Sequence, residues 1–167
     1  DAFVTFNGKS FDLPLLRARY VLARQRIDLE RPHLDLLHVA RQIYRLRINS
    51  CSLSNVESEV LKLARTHDIE GRLIPQIYFD FLRGLHIRRM VPVFDHNVQG
   101  IVSMGSLLLL LVECLGDPGH PALEHARDVA CFGRLHRRRG RPSDAVEYLE
   151  RAVTLSREAD LTNETLR

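Results

Sequence analysis

Cysteine is scarce in this chain, and lysine scarcer. Cys51, Cys114 and Cys131 are the only three cysteines, widely spaced, with no Cys-x-x-Cys pair and no Cys/His ligand pattern. That excludes a disulfide scaffold and a zinc-ribbon class, and it predicts reduced, buried thiols in a cytoplasmic protein. Lys9 and Lys62 are the only lysines among 24 basic residues, so the positive charge is carried almost entirely by arginine. No opening segment reads as a signal peptide. A long hydrophobic run is also missing: Ile101–Leu115 falls short of the roughly 18 residues a membrane span needs, and Ser103, Ser106 and Glu113 interrupt it. The expectation is a buried core helix and no membrane association. What is present is ordinary for a globular protein, with 45% hydrophobic and 27% charged residues. A net charge of +3 and a pI near 9.0 permit a polyanionic partner without requiring one.

The most informative stretch runs from Phe3 to Leu16. Phe3-Val4-Thr5-Phe6 reads as a short buried strand, and Asn7-Gly8 ends it. Ser10 is placed to cap the following helix, and Pro14 suits only a first turn. Asp12 then lies on that first turn just beyond a strand end, where α/β folds place their sites. Asn7 and the Lys9 amine are expected to converge on the same crevice. The same carboxylate equally suits a charge interacting with the helix dipole.

The remaining pattern is mostly helical. Leu13, Leu16, Tyr20 and Ala23 predict a helix over 11–26, with Arg17, Arg19, Arg24 and Arg26 on a solvated face. His33–Leu36 reads as a strand entering a helix that runs through Arg45, with Asp35 as a strand-end or cap carboxylate. The spacing of His33 and His38 does not suit a metal pair. Ser54-x-x-Glu57 fits a capping box for a helix ending near Arg65, followed by a polar connection over 66–73. Pro75 opens a helix over Ile77–Leu82, in which Asp80 is a surface or capping residue. A further helix begins around Met90–Phe94 and carries Asp95–Ser103.

Gly116-Asp117-Pro118-Gly119-His120-Pro121 marks the clearest boundary. It divides the chain into residues 1–116 and an α-helical hairpin over 117–167. Within the hairpin, helices over 122–138 and 143–157 flank Arg139–Pro142. Small residues at Gly133, Ala145 and Ala152 alternate with Phe132 and Leu149, a pattern that resembles a tetratricopeptide repeat. One such pair buries little by itself and needs a surface to pack on. The His136–Arg139 run reads as a solvated turn.

Taken together, Asn7-Gly8-Lys9-Ser10-Phe11-Asp12-Leu13-Pro14-Leu15-Leu16, His33–His38, Ser52–Glu57, Ile74–Leu82 and His96-Asn97…Ser103 resemble the YprB-type ribonuclease-H-like domains of the DnaQ-like (DEDD) exonuclease superfamily. The resemblance implies a partial ribonuclease-H-like α/β fold, helix-rich in this chain, and 3′–5′ exonuclease chemistry on DNA or RNA. It implies that Asp12 is one of four acidic ligands for two Mg²⁺ or Mn²⁺ ions. It gives His96 the general-base or water-orienting position, and places Asn7, Lys9, Ser10 and Asn97 at the nucleic acid. Gly100 departs from it, standing where the family has a metal-binding aspartate. Asp95 cannot substitute, because five residues turn a helix by a net offset of about 140°. The family's first Asp-x-Glu motif would precede this stretch, so the chain is expected to be a fragment or truncated relative. Three of the four acids are thus unaccounted for, and an inactive or impaired nuclease is expected. The alternatives are a non-catalytic nucleic-acid-binding module and a protein-interaction scaffold, with a partner or self-association through 117–167.

Overall fold

A computed structural model describes residues 2–65, 69–85 and 87–165. Thr66, His67 and Asp68 of the expected polar connection lie outside the described residues. Strand β1 (Phe3–Thr5) leads through helix α1 (Asp12–Leu22) to β2 (His33–Asp35) and directly into α2 (Leu36–Tyr44). Then come α3 (Leu53–Glu59), α4 (Ile74–Leu82), α5 (Val91–Gly116), α6 (Ala126–Arg138) and α7 (Pro142–Thr165). Short 3₁₀ turns at Gly71–Leu73 and Ile87–Met90 introduce α4 and α5. The two strands pair in parallel, Phe3 opposite His33 and Thr5 opposite Asp35, which requires the crossover that α1 supplies.

Local chemistry explains where several boundaries depart from expectation. Helix α1 has Phe11 at its N-cap with no side-chain acceptor, so Ser10 does not cap it. It stops at Leu22 instead of Arg26, and Arg24 turns the chain with φ 54°. For α3 the capping residue is Ser52, whose Oγ accepts from the Asn55 N–H at 3.4 Å, and not Ser54. That helix ends at Glu59, well before Arg65, because Lys62 takes φ 55° and the chain doubles back. Pro75 sits in the first turn of α4 as anticipated.

One apolar cluster joins Leu36, Ala40 and Ile43 of α2 to Leu107, Leu111 and Cys114 of α5 and to Phe132, Tyr148 and Ala152 of α6 and α7. Helix α5 corrects two expectations. It is much longer than the apolar run suggested, and 87–116 is long and apolar enough, by length and composition alone, to cross a membrane. It is also a core helix on one face only: Ser103, Leu107, Leu111 and Cys114 are buried, whereas Val98, Ile101, Val102, Leu109 and Val112 are exposed.

Helices α6 and α7 lie against each other closely. A Cβ on Gly133 would stand 3.0 Å from Leu149 Cγ and 3.2 Å from the Ala145 carbonyl, so the small residue sets the approach. His136 is buried, contrary to its reading as part of a solvated turn, and stacks on Tyr148 with ring centroids 4.9 Å apart. Cys114 and Cys131 are buried thiols, and Cys51 is partly exposed.

Candidate nucleic-acid cleft

The end of β1 faces the first half of α5 across an open cleft of about 1080 Å³. Asp12 from the first turn of α1 lines one side, and His96, Asn97 and Gly100 from successive positions of α5 line the other. Leu53 and Ser54 of α3, with Arg65 and the Ile69–Arg72 segment, complete the wall. The residues brought together are therefore Asp12, His96 and Asn97. Asn7, Lys9 and Ser10 are exposed on the connecting loop and do not line the cleft. Asp95 is exposed and outside it, as its helical offset implies.

Asn7, Lys9 and Ser10 belong to a loop held by a residue whose sequence context pointed only to a cap. Asp35, at the end of β2, accepts from the Asn7 N–H at 2.8 Å, the Lys9 N–H at 3.0 Å and the Leu37 N–H at 3.2 Å. It thus caps α2 and fixes the turn that delivers Asp12. Asn7 adopts φ 69°, which Asn tolerates better than most residues. Gly8 beside it is buried, and a Cβ there would fall 2.5 Å from the Thr5 side chain, so the turn has no room for a larger residue.

His96 is oriented from beneath. The buried Glu57 carboxylate holds Arg65 through two hydrogen bonds, the Nη2 bond at 2.8 Å and a shorter one from Nε. Arg65 Nη1 in turn lies 3.0 Å from His96 Nδ1. A guanidinium can only donate, so Nδ1 accepts and the imidazole proton resides on Nε2. With Nδ1 engaged by Arg65, that nitrogen has no lone pair left for general-base work. The sequence pointed to Glu57 only as a capping-box residue and to Arg65 only as a helix end, not to either as a partner of His96. Their pairing depends on the reversal at Lys62, which no local pattern signals.

Among the described residues the donor set does not fit a pair of divalent cations. Asp12 and Glu70 are the carboxylates that these residues bring to the cleft, and Glu70 is already paired with Arg72. Among the described residues no group of three or more His, Cys, Asp or Glu side chains converges. Gly100 occupies the position from which another carboxylate would reach in.

A nucleic-acid-processing domain of α/β type is the class that this arrangement and the sequence comparison define. The RNase_H_2 family model, of the RNase_H superfamily, matches residues 1–112, and the chain belongs to that superfamily. It is helix-rich with a small parallel sheet, as its sequence led us to expect. Members of the superfamily generally use divalent metal ions. The chain is also similar to "Uncharacterized protein YprB" of Bacillus subtilis (strain 168), at 31% identity over 157 residues. That alignment covers 93% of this chain and 38% of the relative, so the chain spans well under half the length of the protein it matches. No solved structure matches.

Proposed function

We propose that this chain holds a nucleic-acid strand in the cleft between β1 and α5 without cleaving it by itself. It is an exonuclease-type domain of the DnaQ-like kind, working here as a binding module. The observation that carries this reading is the convergence of Asp12, His96 and Asn97 on one cleft where Gly100 replaces the further acid. Asn97 offers an amide to a base or sugar, and the Arg65-held imidazole of His96 forms a fixed part of the wall beside it. Among the described residues Asp12 is the one unpaired carboxylate of the cleft, too few to clamp two cations, so no hydrolytic step is assigned to the chain. The helical hairpin of α6 and α7 is read as tetratricopeptide-like and the location as cytoplasmic, both from sequence pattern.

Titrating Mn²⁺ calorimetrically into the chain and into an Asp12→Ala variant tests the reading. We expect no saturable binding tighter than about 1 mM in either protein. A labelled oligonucleotide incubated with Mn²⁺ should be retained on a native gel at low salt and remain full length. Metal-dependent shortening, or Mn²⁺ binding that Asp12→Ala abolishes, would overturn the non-cleaving assignment. Absence of any oligonucleotide retention would overturn the binding assignment.

A further inference from the structure

Away from the cleft, α2 packs beside α6 and leaves a groove of about 320 Å³ between them. Arg41, Arg45 and His38 line it from the α2 side, and Arg134 and Arg138 line it from α6, with Cys131 among them. It shares no lining residue with the β1–α5 cleft.

The charge arrangement is unbalanced. Arg41 and Arg45 are one helical turn apart, as are Arg134 and Arg138, so each wall carries a like-charge pair that weakens its own helix. The two walls then face each other, adding repulsion across the groove. No Asp or Glu lines it among the described residues. None of the four arginines forms an ion pair among the described residues. All four are exposed, whereas the more buried Arg47 and Arg65 are paired, with Asp128 at 2.6 Å and with Glu57. An external anion lying between the two rows relieves their mutual repulsion.

We propose that the α2–α6 groove binds the phosphodiester backbone of a single nucleic-acid strand, as a second contact beyond the cleft; this rests on the nucleic-acid reading above. The two charges on each wall are separated by about 6 Å of helix rise. Such a double row suits a strand carrying one charge per nucleotide at regular intervals better than one compact anion. The planar guanidinium fork matches phosphate oxygens in pairs.

Fluorescence anisotropy of a labelled oligothymidylate of about 16 nucleotides, followed over a range of KCl concentrations, tests this with the full chain. Replacing all four arginines by Gln should weaken binding at least about tenfold and flatten the plot of log K against log salt by up to about 3, four contacts at roughly 0.7 each. The two-arginine variants, Arg41→Gln/Arg45→Gln and Arg134→Gln/Arg138→Gln, should each give about half that flattening, which keeps the test decisive if the four-fold variant misfolds. Four Arg→Lys substitutions should retain most of the slope. Wild-type binding with affinity and slope unchanged in the Gln variants would overturn the groove while leaving the cleft reading intact. No binding by wild type would overturn both. Loss of tripolyphosphate binding in the variants, with oligonucleotide binding unaltered, would make the groove a small-anion site and overturn the strand assignment.

Discussion

The Asp35 carboxylate is only 3% exposed, and burial by itself pushes its pKa up. Backbone N–H groups of Lys9, Asn7 and Leu37 act the other way, aided by the charge of His38, and the net result lies below the ordinary value of 3.8. A carboxyl whose pKa is depressed by folding contributes stability above its unfolded pKa and loses it as pH falls through the folded value. Asp35→Asn should therefore cost about 1–3 kcal/mol at neutral pH, since an amide oxygen is a weaker acceptor than a carboxylate. Urea denaturation at about pH 7 and about pH 3 checks this, because the gap between wild type and variant should narrow in acid. A gap that stays constant would show that the charge on Asp35 contributes nothing. The cap role of this residue was legible, because a strand-to-helix junction with Asp at the step is a local pattern. Its grip on Asn7, 28 residues away, was not, because it depends on the parallel register of β1 and β2.

Helix α5 ends on carbonyl groups that its own backbone cannot satisfy, and the last two helices supply the donors. Tyr148 Oη donates to the Cys114 carbonyl at 2.6 Å, and His136 Nε2 donates to that of Leu115 at 3.1 Å. Burial, with the nearby Cys114 and carboxylates adding to it, pushes the Tyr148 phenol up to about 12, so it remains a donor throughout the neutral range. Tyr148→Phe keeps the ring stacked between His136 and Phe132 but leaves the Cys114 carbonyl unpaired. It should lower stability by about 1–2 kcal/mol, seen as a shift in urea midpoint at unchanged slope. An unaltered midpoint would mean that water or another group takes over the carbonyl. The pairing of α6 with α7 was legible in the alternation of Gly133, Ala145 and Ala152 with larger residues. The ends of α1 and α3 were not, because left-handed turns at Arg24 and Lys62 close them where the periodic pattern continues.

At the scale of the whole molecule, the cleft exists because segments distant in sequence meet: the turn after β1, the start of α3, the chain beyond Arg65 and the first half of α5. Sequence motifs named Asp12, His96 and Asn97, but the Glu57–Arg65–His96 relay that sets the imidazole became visible only with the chain folded. The same geometry shows whether the missing acid could be accommodated. A Cβ at Gly100 would meet nothing nearer than Leu53 Cδ2 at 3.8 Å, an ordinary contact, and the side chain would extend into the cleft that Asp12 also lines. Glycine inside a helix is also the least favourable choice short of proline, at about 1 kcal/mol against Ala. Gly100→Asp should thus fold without penalty and add a second unpaired carboxylate facing Asp12. Mn²⁺ affinity measured by calorimetry should rise at least about tenfold over wild type, and the gain should disappear when Asp12→Ala is added. If the substituted protein binds Mn²⁺ no better than wild type, residues 12 and 100 do not face a common ion, and the cleft's role is confined to holding the strand.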